Sequence, residues 1–587
     1  MAVDGTGTGM ADGVALKRIG LAEGAPDLTR YPTHDEMTGL LRAWADRYPD
    51  LIALDSLGRS PEGRELWSVT LTDRTSGAPE DKPAVYLEGN IHAGEVLPSV
   101  VCLATIWDLA SRFGHDEEAT DLLHTRTFYV RPRVAPDGAE RYLTTPDRLR
   151  SAPIAWPHAE RQPGLHPEDV DGDGHATVMR ISDPNGEWRA SALDDRIMVR
   201  CGPGEPPGGR YRLVQEGHIE GPVADASADP MVAPTFWGLD FNRSFPHNWQ
   251  PEYRQTGAGP YPLYPVETRA TADFFLAHPN IGVAILYHTF GGFVFTLPSS
   301  VPASTYRHGD LGGDYRVLTE AFTRITGQPA FQSYDEATDT ARSGSLMDWA
   351  YSQHGIYTWV PELWDIYRAS GVRDERPEGY PPLSEEEDLA LLSWVDDEFT
   401  DGEAGFLPWR PFDHPQLGPV DIGGWTYKYT HQNCPGRVIP SIARPVIDWS
   451  YLVARALPQL AIERLDLEPL GNGLWSLTVT VVNEGFLPTN VSMQARDVRR
   501  AEPVSVRVAG DGIEAVSGEL VADLGHLEGE SGATDVAWRG PVAARRHGTA
   551  RFVLRVPPGI EHLHVGVSSP RAGTALRRVD LATDAER

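Results

Sequence analysis

Apolar residues along the first third of the chain recur with two different periods. Between His34 and Tyr48 they fall at Met37, Leu40, Leu41 and Trp44, the spacing of one helix face, which predicts an amphipathic helix. Two strand-like runs follow, Ile52 to Leu57 and Glu65 to Leu71, with a glycine-containing turn between them. A short apolar strand at Ala84 to Leu87 leads to an apolar helix at Leu97 to Phe113, then a strand at Thr127 to Val134. The alternation resumes later: a helix at Val266 to Ala277, a strand at Ile281 to Tyr287, a helix near Tyr315 to Ile325 and a strand at Tyr357 to Pro361. Strands and helices in alternation predict an α/β layer built on a mixed sheet.

Two stretches depart from this rhythm. Residues 144–236 are rich in Pro, Gly, Asp and Arg and poor in apolar runs, so they read as a long, structureless insertion over one end of the sheet. After about Leu457 the pattern becomes all-β. Trp475 to Val482, Val504 to Val508, Arg551 to Val556 and His562 to Val567 are strand-like and punctuated by Gly, Asn and Pro, which predicts an immunoglobulin-like β-sandwich. The expected organisation is a loose segment at 1–28, an α/β domain at 29–457 and a sandwich at 458–587.

Composition narrows the partners. At 587 residues the chain suits two or three domains, and its 41% hydrophobic content supplies real cores. Mean hydropathy is −0.34, and no apolar run reaches the roughly 20 residues of a membrane span. A net charge of −31 argues against nucleic acid and anionic lipid as partners. Arginine supplies nearly all positive charge, since Lys17, Lys82 and Lys428 are the only lysines. Cys102, Cys201 and Cys434 lie far apart and form no Cys-x-x-Cys pair, which favours a reducing compartment. Met1 to Gly20 shows no basic stretch followed by an apolar one, so a cytoplasmic location is expected, with secretion left open.

The candidate chemistry sits at strand ends. His92 and Glu95 follow the Ala84 to Leu87 strand, and an imidazole and a carboxylate on one tight turn can reach a single small cation. A third ligand should come from another strand end, and His288 directly follows the apolar run Ile281 to Tyr287. Asp169, Asp171 and Asp173, with Gly174 sixth in the run, match the start of a calcium loop. The twelfth position is Arg180 rather than an acidic ligand, so a tight acidic turn is preferred there over calcium.

Six motifs in order give the chain a resemblance to the M14 zinc carboxypeptidases, the carboxypeptidase A-like metallopeptidases, over roughly residues 33–456. They are His92-x-x-Glu95; Ala135-Pro136-Asp137-Gly138; Asp240-Phe241-Asn242-Arg243-Ser244-Phe245-Pro246; His288 after its strand; Gly344-Ser345-Leu346-Met347-Asp348-Trp349; and Glu362-Leu363-Trp364-Asp365, with fourteen residues from Asp348 to Glu362. The resemblance implies one zinc ion per chain on His92, Glu95 and His288, at roughly 2.0–2.2 Å and with an open position for water. It makes Glu362 the general base, Asn242 and Arg243 the anchor for a substrate carboxylate, and an arginine before Asn242 the partner of the oxyanion. Arg180 is the expected oxyanion arginine, and Met347 the expected floor of a pocket for neutral or apolar side chains. The chain departs from the family at Thr340, where a mobile tyrosine is usual, and Tyr334 is the nearest substitute.

The function implied is zinc-dependent removal of C-terminal residues from peptides or proteins with a free C-terminus. Two other readings stand beside it: hydrolysis of a related amide, such as an acylated amino acid or a cell-wall peptide, and a non-catalytic binding protein.

Overall fold

The computed structural model describes residues 26–204, 208–221, 230–306, 308–373, 382–399, 404–536 and 540–581. Most of the segment expected to be loose, 1–28, lies outside the described residues. The first helix, α1 (His34–Arg47), begins with a reciprocal cap. Glu36 N–H donates to Thr33 Oγ1 (3.3 Å) while Thr33 N–H donates to the Glu36 carboxylate (2.8 Å). Its apolar face buries Met37, Leu41 and Trp44, and the Trp44 ring packs 5.5 Å from Trp107.

The central sheet has eight strands among the described residues: β1 (Ile52–Arg59), β2 (Glu65–Leu71), β3 (Ala84–Gly89), β4 (Thr127–Arg131), β5 (Ile281–Tyr287), β6 (Phe293–Thr296), β7 (Ala330–Gln332) and β8 (Tyr357–Glu362). Their order is β1-β2-β4-β3-β5-β8-β6-β7. β3 pairs parallel with both β4 and β5, and β5 pairs parallel with β8. Every residue of β3, β4 and β5 is buried, as helices covering both faces of a parallel sheet require. One consequence decides the location of the site. The carboxyl ends of β3, β5 and β8 open side by side on the same sheet edge, where α/β proteins place their ligands.

The insertion is not structureless. Val178–Ser182, Trp188–Ala190, Met198–Arg200 and Arg210–Gln215 join Phe406–His414 and Gly418–Trp425 in a six-stranded sheet, and Gly164–Pro167 pairs with Gly217–Glu220. The hydrophobic cluster buried within the larger of these sheets is small: Met179, Val214, Val420 and Ile422. The strands are short and mostly half-buried, and two partners come from beyond residue 400, so the local stretch carries no apolar alternation to read.

Helix α2 (Leu97–Arg112) covers the parallel strands, and the last helix of the α/β unit is Ile439–Ala456. Beyond it, Leu460–Gly471, Leu474–Asn483, His547–Arg555 and Glu514–Ala515 form one antiparallel sheet. Val521–Asp523, Ser505–Ala509, His562–Ser569 and Gly573–Asp580 form a second. They enclose Leu477, Val479, Val506, Leu554, Val565 and Val567 as a separate core, a β-sandwich. The sandwich is fixed to the α/β unit. Leu487 and Val491 join the core of that unit, Arg571 donates to the carbonyls of His354 and Gly355, and Ser492 Oγ donates to Gly355 O at 2.7 Å. Gly355 has φ +65°, and a Cβ there would lie 2.2 Å from Ala495 N, so no other residue fits. No described helix is long and apolar enough to cross a membrane.

Candidate metal centre and active site

The turn carrying His92 and Glu95 is shaped by its neighbours. Gly89 ends β3 against the backbone of Pro98, where a Cβ would lie only 2.7 Å away. Asn90 takes a left-handed backbone (φ 61°), and its side-chain amide donates to His92 O and Ala93 O at 2.6 and 3.1 Å. Helix α2 begins without a local side-chain cap. Asn433, more than 330 residues later, supplies it. Asn433 Oδ1 accepts from the N–H groups of Val96 and Leu97 at 3.0 Å each, and its amide donates to Gly94 O at 2.8 Å.

His92, Glu95 and His288 converge in the interior. Each offers one ligand atom, and these atoms all lie within 4.8 Å of one another. His92 Nδ1 lies 2.7 Å from Glu95 Oε1, and His288 Nδ1 lies 2.9 Å from Glu95 Oε2. Burial pushes the Glu95 carboxyl up, but the two imidazoles outweigh it and hold the group far below the usual carboxylate range. Burial pushes His288 down, and Glu95 outweighs that, so His288 is raised. Two imidazole nitrogens and a carboxylate facing one point are a donor set that suits zinc. The other ring nitrogen of His92 lies 3.1 Å from Asp240 Oδ1, the carboxylate support common behind metal-binding histidines.

Glu362 is the last residue of β8. His288 and Glu362 are bridged: His288 N–H donates to Pro361 O (2.8 Å) and Leu363 N–H to His288 O (2.9 Å). The sheet register thus sets the third ligand beside this carboxylate.

A second group assembles on loops around Asp240. Asp240 Oδ1 accepts from Asn242 N–H at 2.8 Å, and Asp240 Oδ2 from Arg150 Nε at 2.8 Å. Burial raises the Asp240 carboxyl, but Arg150, Arg243 and His92 outweigh it and hold it well below the usual range. Asn242 commits Oδ1 to Leu346 N–H (2.9 Å), which leaves its amide donors uncommitted among the described residues. Arg243 Nη1 donates to Asn242 O at 2.8 Å. Burial pulls its guanidinium below the usual arginine range, as do the neighbouring charges of Arg150 and Arg342, against Asp240.

Arg180 is corrected by the structure. It lies on strand Val178–Ser182 of the six-stranded sheet. Its guanidinium bonds Asp421 at 2.9 Å and is sandwiched between the rings of Tyr211 (4.9 Å) and Trp409 (4.7 Å). It reaches no group of the metal centre. The arginine that does is Arg150, which bonds Asp240, lies 3.8 Å from Glu95 Oε1 and keeps 41% of its side chain exposed to an incoming ligand. The signal for it was position, six residues after helix α3 (Pro136–Thr144) and at the very start of the insertion. Tyr334 keeps its hydroxyl on Asp339 within its own loop. Met347 is buried in the first turn of helix α4 (Leu346–His354), and its carbonyl accepts from Thr358 Oγ1 at 3.0 Å. In the acidic turn, Asp169 and Asp171 come together with buried Glu216, whose carboxylate oxygens accept from Val170 and Thr177, while Asp171 and Asp173 both bond Arg410.

The segment after residue 404 carries none of the six motifs, yet it reaches the site. Besides Asn433, Gln432 O accepts from Thr289 Oγ1 at 2.8 Å, directly after His288. Tyr427 opens the same wide helical turn (Tyr427–Gln432), with the Arg148 guanidinium 4.8 Å over its ring. Its phenol is pushed up chiefly by burial, and Glu95 and Arg150 are close enough to act on it.

Residues 37–381, more than half of the chain, match a family model described as zinc carboxypeptidase, and residues 459–580 match a domain family of unknown function. Carboxypeptidase D of Homo sapiens is 36% identical over 106 residues, a match that spans 18% of this chain but only 8% of that protein. Carboxypeptidase B of Astacus astacus is 25% identical over 349 residues, 58% of this chain and 88% of that protein. Among solved structures, that of thrombin activatable fibrinolysis inhibitor covers 76% of this chain and 80% of its own, at 14% identity and a TM-score of 0.42.

Proposed function

The chain belongs to the zinc carboxypeptidase family, and from that premise we propose that it hydrolyses the last peptide bond of peptides or proteins bearing a free C-terminal carboxylate. The carrying observation is the double use of Asp240. One carboxylate holds the metal-ligand candidate His92 at 3.1 Å and the backbone of Asn242 at 2.8 Å, so a metal centre and an anion anchor are tied together. An anchor for a terminal carboxylate at this fixed offset gives a reason to cut at a chain end.

His92, Glu95 and His288 would hold the zinc. When bound, zinc supplies Lewis-acid polarisation and makes water acidic enough to ionise near neutral pH. Glu362 takes the proton of the attacking water and passes it to the departing amine nitrogen, a transfer typically worth about 10²–10⁴-fold. Arg150, partly exposed between Asp240 and Glu95, faces the charge that develops on the scissile carbonyl oxygen. Arg243 offers its guanidinium fork, and Asn242 its free amide donors, to the substrate's terminal carboxylate.

The test is zinc-loaded full-length protein on one peptide set with free and amidated C-termini, read by mass spectrometry. Stepwise loss of C-terminal residues from the free set alone is expected, abolished by chelation and restored by zinc. Equal cleavage of both sets, or cleavage unaffected by chelation, ends the proposal.

A further inference from the structure

A third guanidinium stands near the anchor, and no other part of the site uses it. Arg342 is pinned at its backbone to the loop after β6: its N–H donates to Ser299 O at 2.7 Å and its carbonyl accepts from Ser299 Oγ at 3.1 Å. Its side chain donates to the Ser333 carbonyl and lies 4.9 Å over the Phe295 ring. Among the described residues no carboxylate lies within 4.0 Å of it, although it is only partly exposed. A half-buried guanidinium with no carboxylate in direct contact among the described residues can receive one from a ligand.

The surroundings say where that place is. Two residues on, Gly344 (φ +71°) runs against the backbone of Arg243, and Gly344 O accepts from Phe245 N–H at 2.9 Å. Leu346 N–H then bonds Asn242 Oδ1. On the opposite side, Phe295 pairs in register with Val360 and Phe293 with Glu362. Arg342 therefore stands between the Asn242–Arg243 turn and the strand that ends in Glu362. The electrostatics agree: burial pulls Arg342 below the usual arginine range, Glu362 and Asp335 pull it back, and Arg342 in turn lowers Arg243.

We propose that Arg342 binds the side-chain carboxylate of the substrate's last residue, so that the preferred C-terminal residues are Glu and Asp. The proposal rests on the carboxypeptidase reading above, with Arg243 taking the main-chain carboxylate and Arg342 the side-chain one. Two guanidiniums on one turn-and-strand frame then grip both carboxylates of a terminal acidic residue. Met347, buried in the adjoining helix, adds no charge that would reverse this preference.

Zinc-loaded full-length protein is assayed on peptides that differ only in the last residue: Glu, Asp, Leu, Phe or Lys. The expected kcat/KM for Glu and Asp exceeds that for Leu by about tenfold or more, with Lys lowest. Arg342→Gln lowers the Glu-to-Leu ratio by about tenfold or more, mostly through KM, and Arg342→Lys restores part of it because the charge returns without the fork. Arg342→Glu moves the preference toward Lys. A wild type that prefers Leu, Phe or Lys overturns the proposal while the carboxypeptidase reading stands. So does a ratio unchanged in both the Gln and Glu variants. If no free C-terminus is cleaved by zinc-loaded protein, the carboxypeptidase reading falls and takes this proposal with it.

Discussion

The two halves of the site are held by different kinds of structure. His92, His288 and Glu362 stand at or just past the ends of three buried, hydrogen-bonded parallel strands. Arg150, Asp240, Asn242 and Arg342 stand on loops. Adjacent strands lie about 4.8 Å apart, which suits side chains that must meet at one ion. The sheet half inherits its geometry from backbone pairing, as in the bridge between His288 and Glu362. The loop half has no such frame and depends on side chains holding one another: Asp240 alone ties together His92, Asn242 and Arg150. In the proposed mechanism, sheet positions therefore supply the metal ligands and the proton transfer, and loop positions supply selectivity and charge stabilisation.

That division can be broken at its strongest point first. Glu362→Gln keeps the size and shape of the side chain but removes the proposed base, so kcat is expected to fall about 10²–10⁴-fold. Zinc content, read by inductively coupled plasma mass spectrometry, should stay at one ion per chain. A variant that keeps wild-type kcat would remove Glu362 from the chemistry. On the loop side, Arg150→Gln is expected to cost about 10²–10³ in kcat, with zinc again retained. The same change at Arg180, which lies between Tyr211 and Trp409 in a different sheet, should leave turnover alone; a larger loss there than at Arg150 would return Arg180 to the site.

Asp240 is where the halves meet, so its replacement should blur them. Asp240→Asn is expected to lower zinc affinity and activity together by about 10–100-fold, the usual effect of losing a carboxylate behind a metal-binding histidine. Titration with a competing chelator measures the first and peptide kinetics the second. A loss of activity with unchanged zinc affinity would mean that Asp240 serves only the anchor.

The same comparison explains what could be read from the chain alone. The sheet half was legible because each residue follows an apolar run: Ala84 to Leu87 before His92, Ile281 to Tyr287 before His288, Tyr357 to Pro361 before Glu362. A strand end is marked by its own strand. Asn242 and Arg243 were legible only through the resemblance, since nothing local distinguishes that dipeptide from any other. Arg150 was missed because a loop arginine is defined by what it touches. Arg180, on a strand with a plausible place in the order, drew attention that belonged to an unpatterned stretch thirty residues earlier. The strands of the insertion escaped for a related reason. Two of their partners, Phe406–His414 and Gly418–Trp425, lie about 200 residues downstream, and the half-buried strands expose too much of both faces to alternate cleanly.

Asn433 carries that lesson to its smallest measurable effect. It lies beyond the stretch matched by the family, yet it caps the helix that starts beside Glu95 and fastens Gly94 within the metal turn. A helix start without a local cap leaves N–H groups that need a partner, and here a distant amide provides it. Asn433→Ala removes the acceptor for Val96 and Leu97, at an expected cost of about 1–2 kcal/mol in stability. Denaturant unfolding of the apo protein reads that cost without interference from metal binding. Because the cap also fixes the turn between His92 and Glu95, zinc affinity should weaken severalfold in the same variant. If stability falls and zinc affinity does not, the turn is rigid by virtue of Gly89 and Asn90 alone. The metal-binding turn would then be independent of the Asn433 cap, and Gln432 on Thr289 would be what the segment after residue 404 contributes.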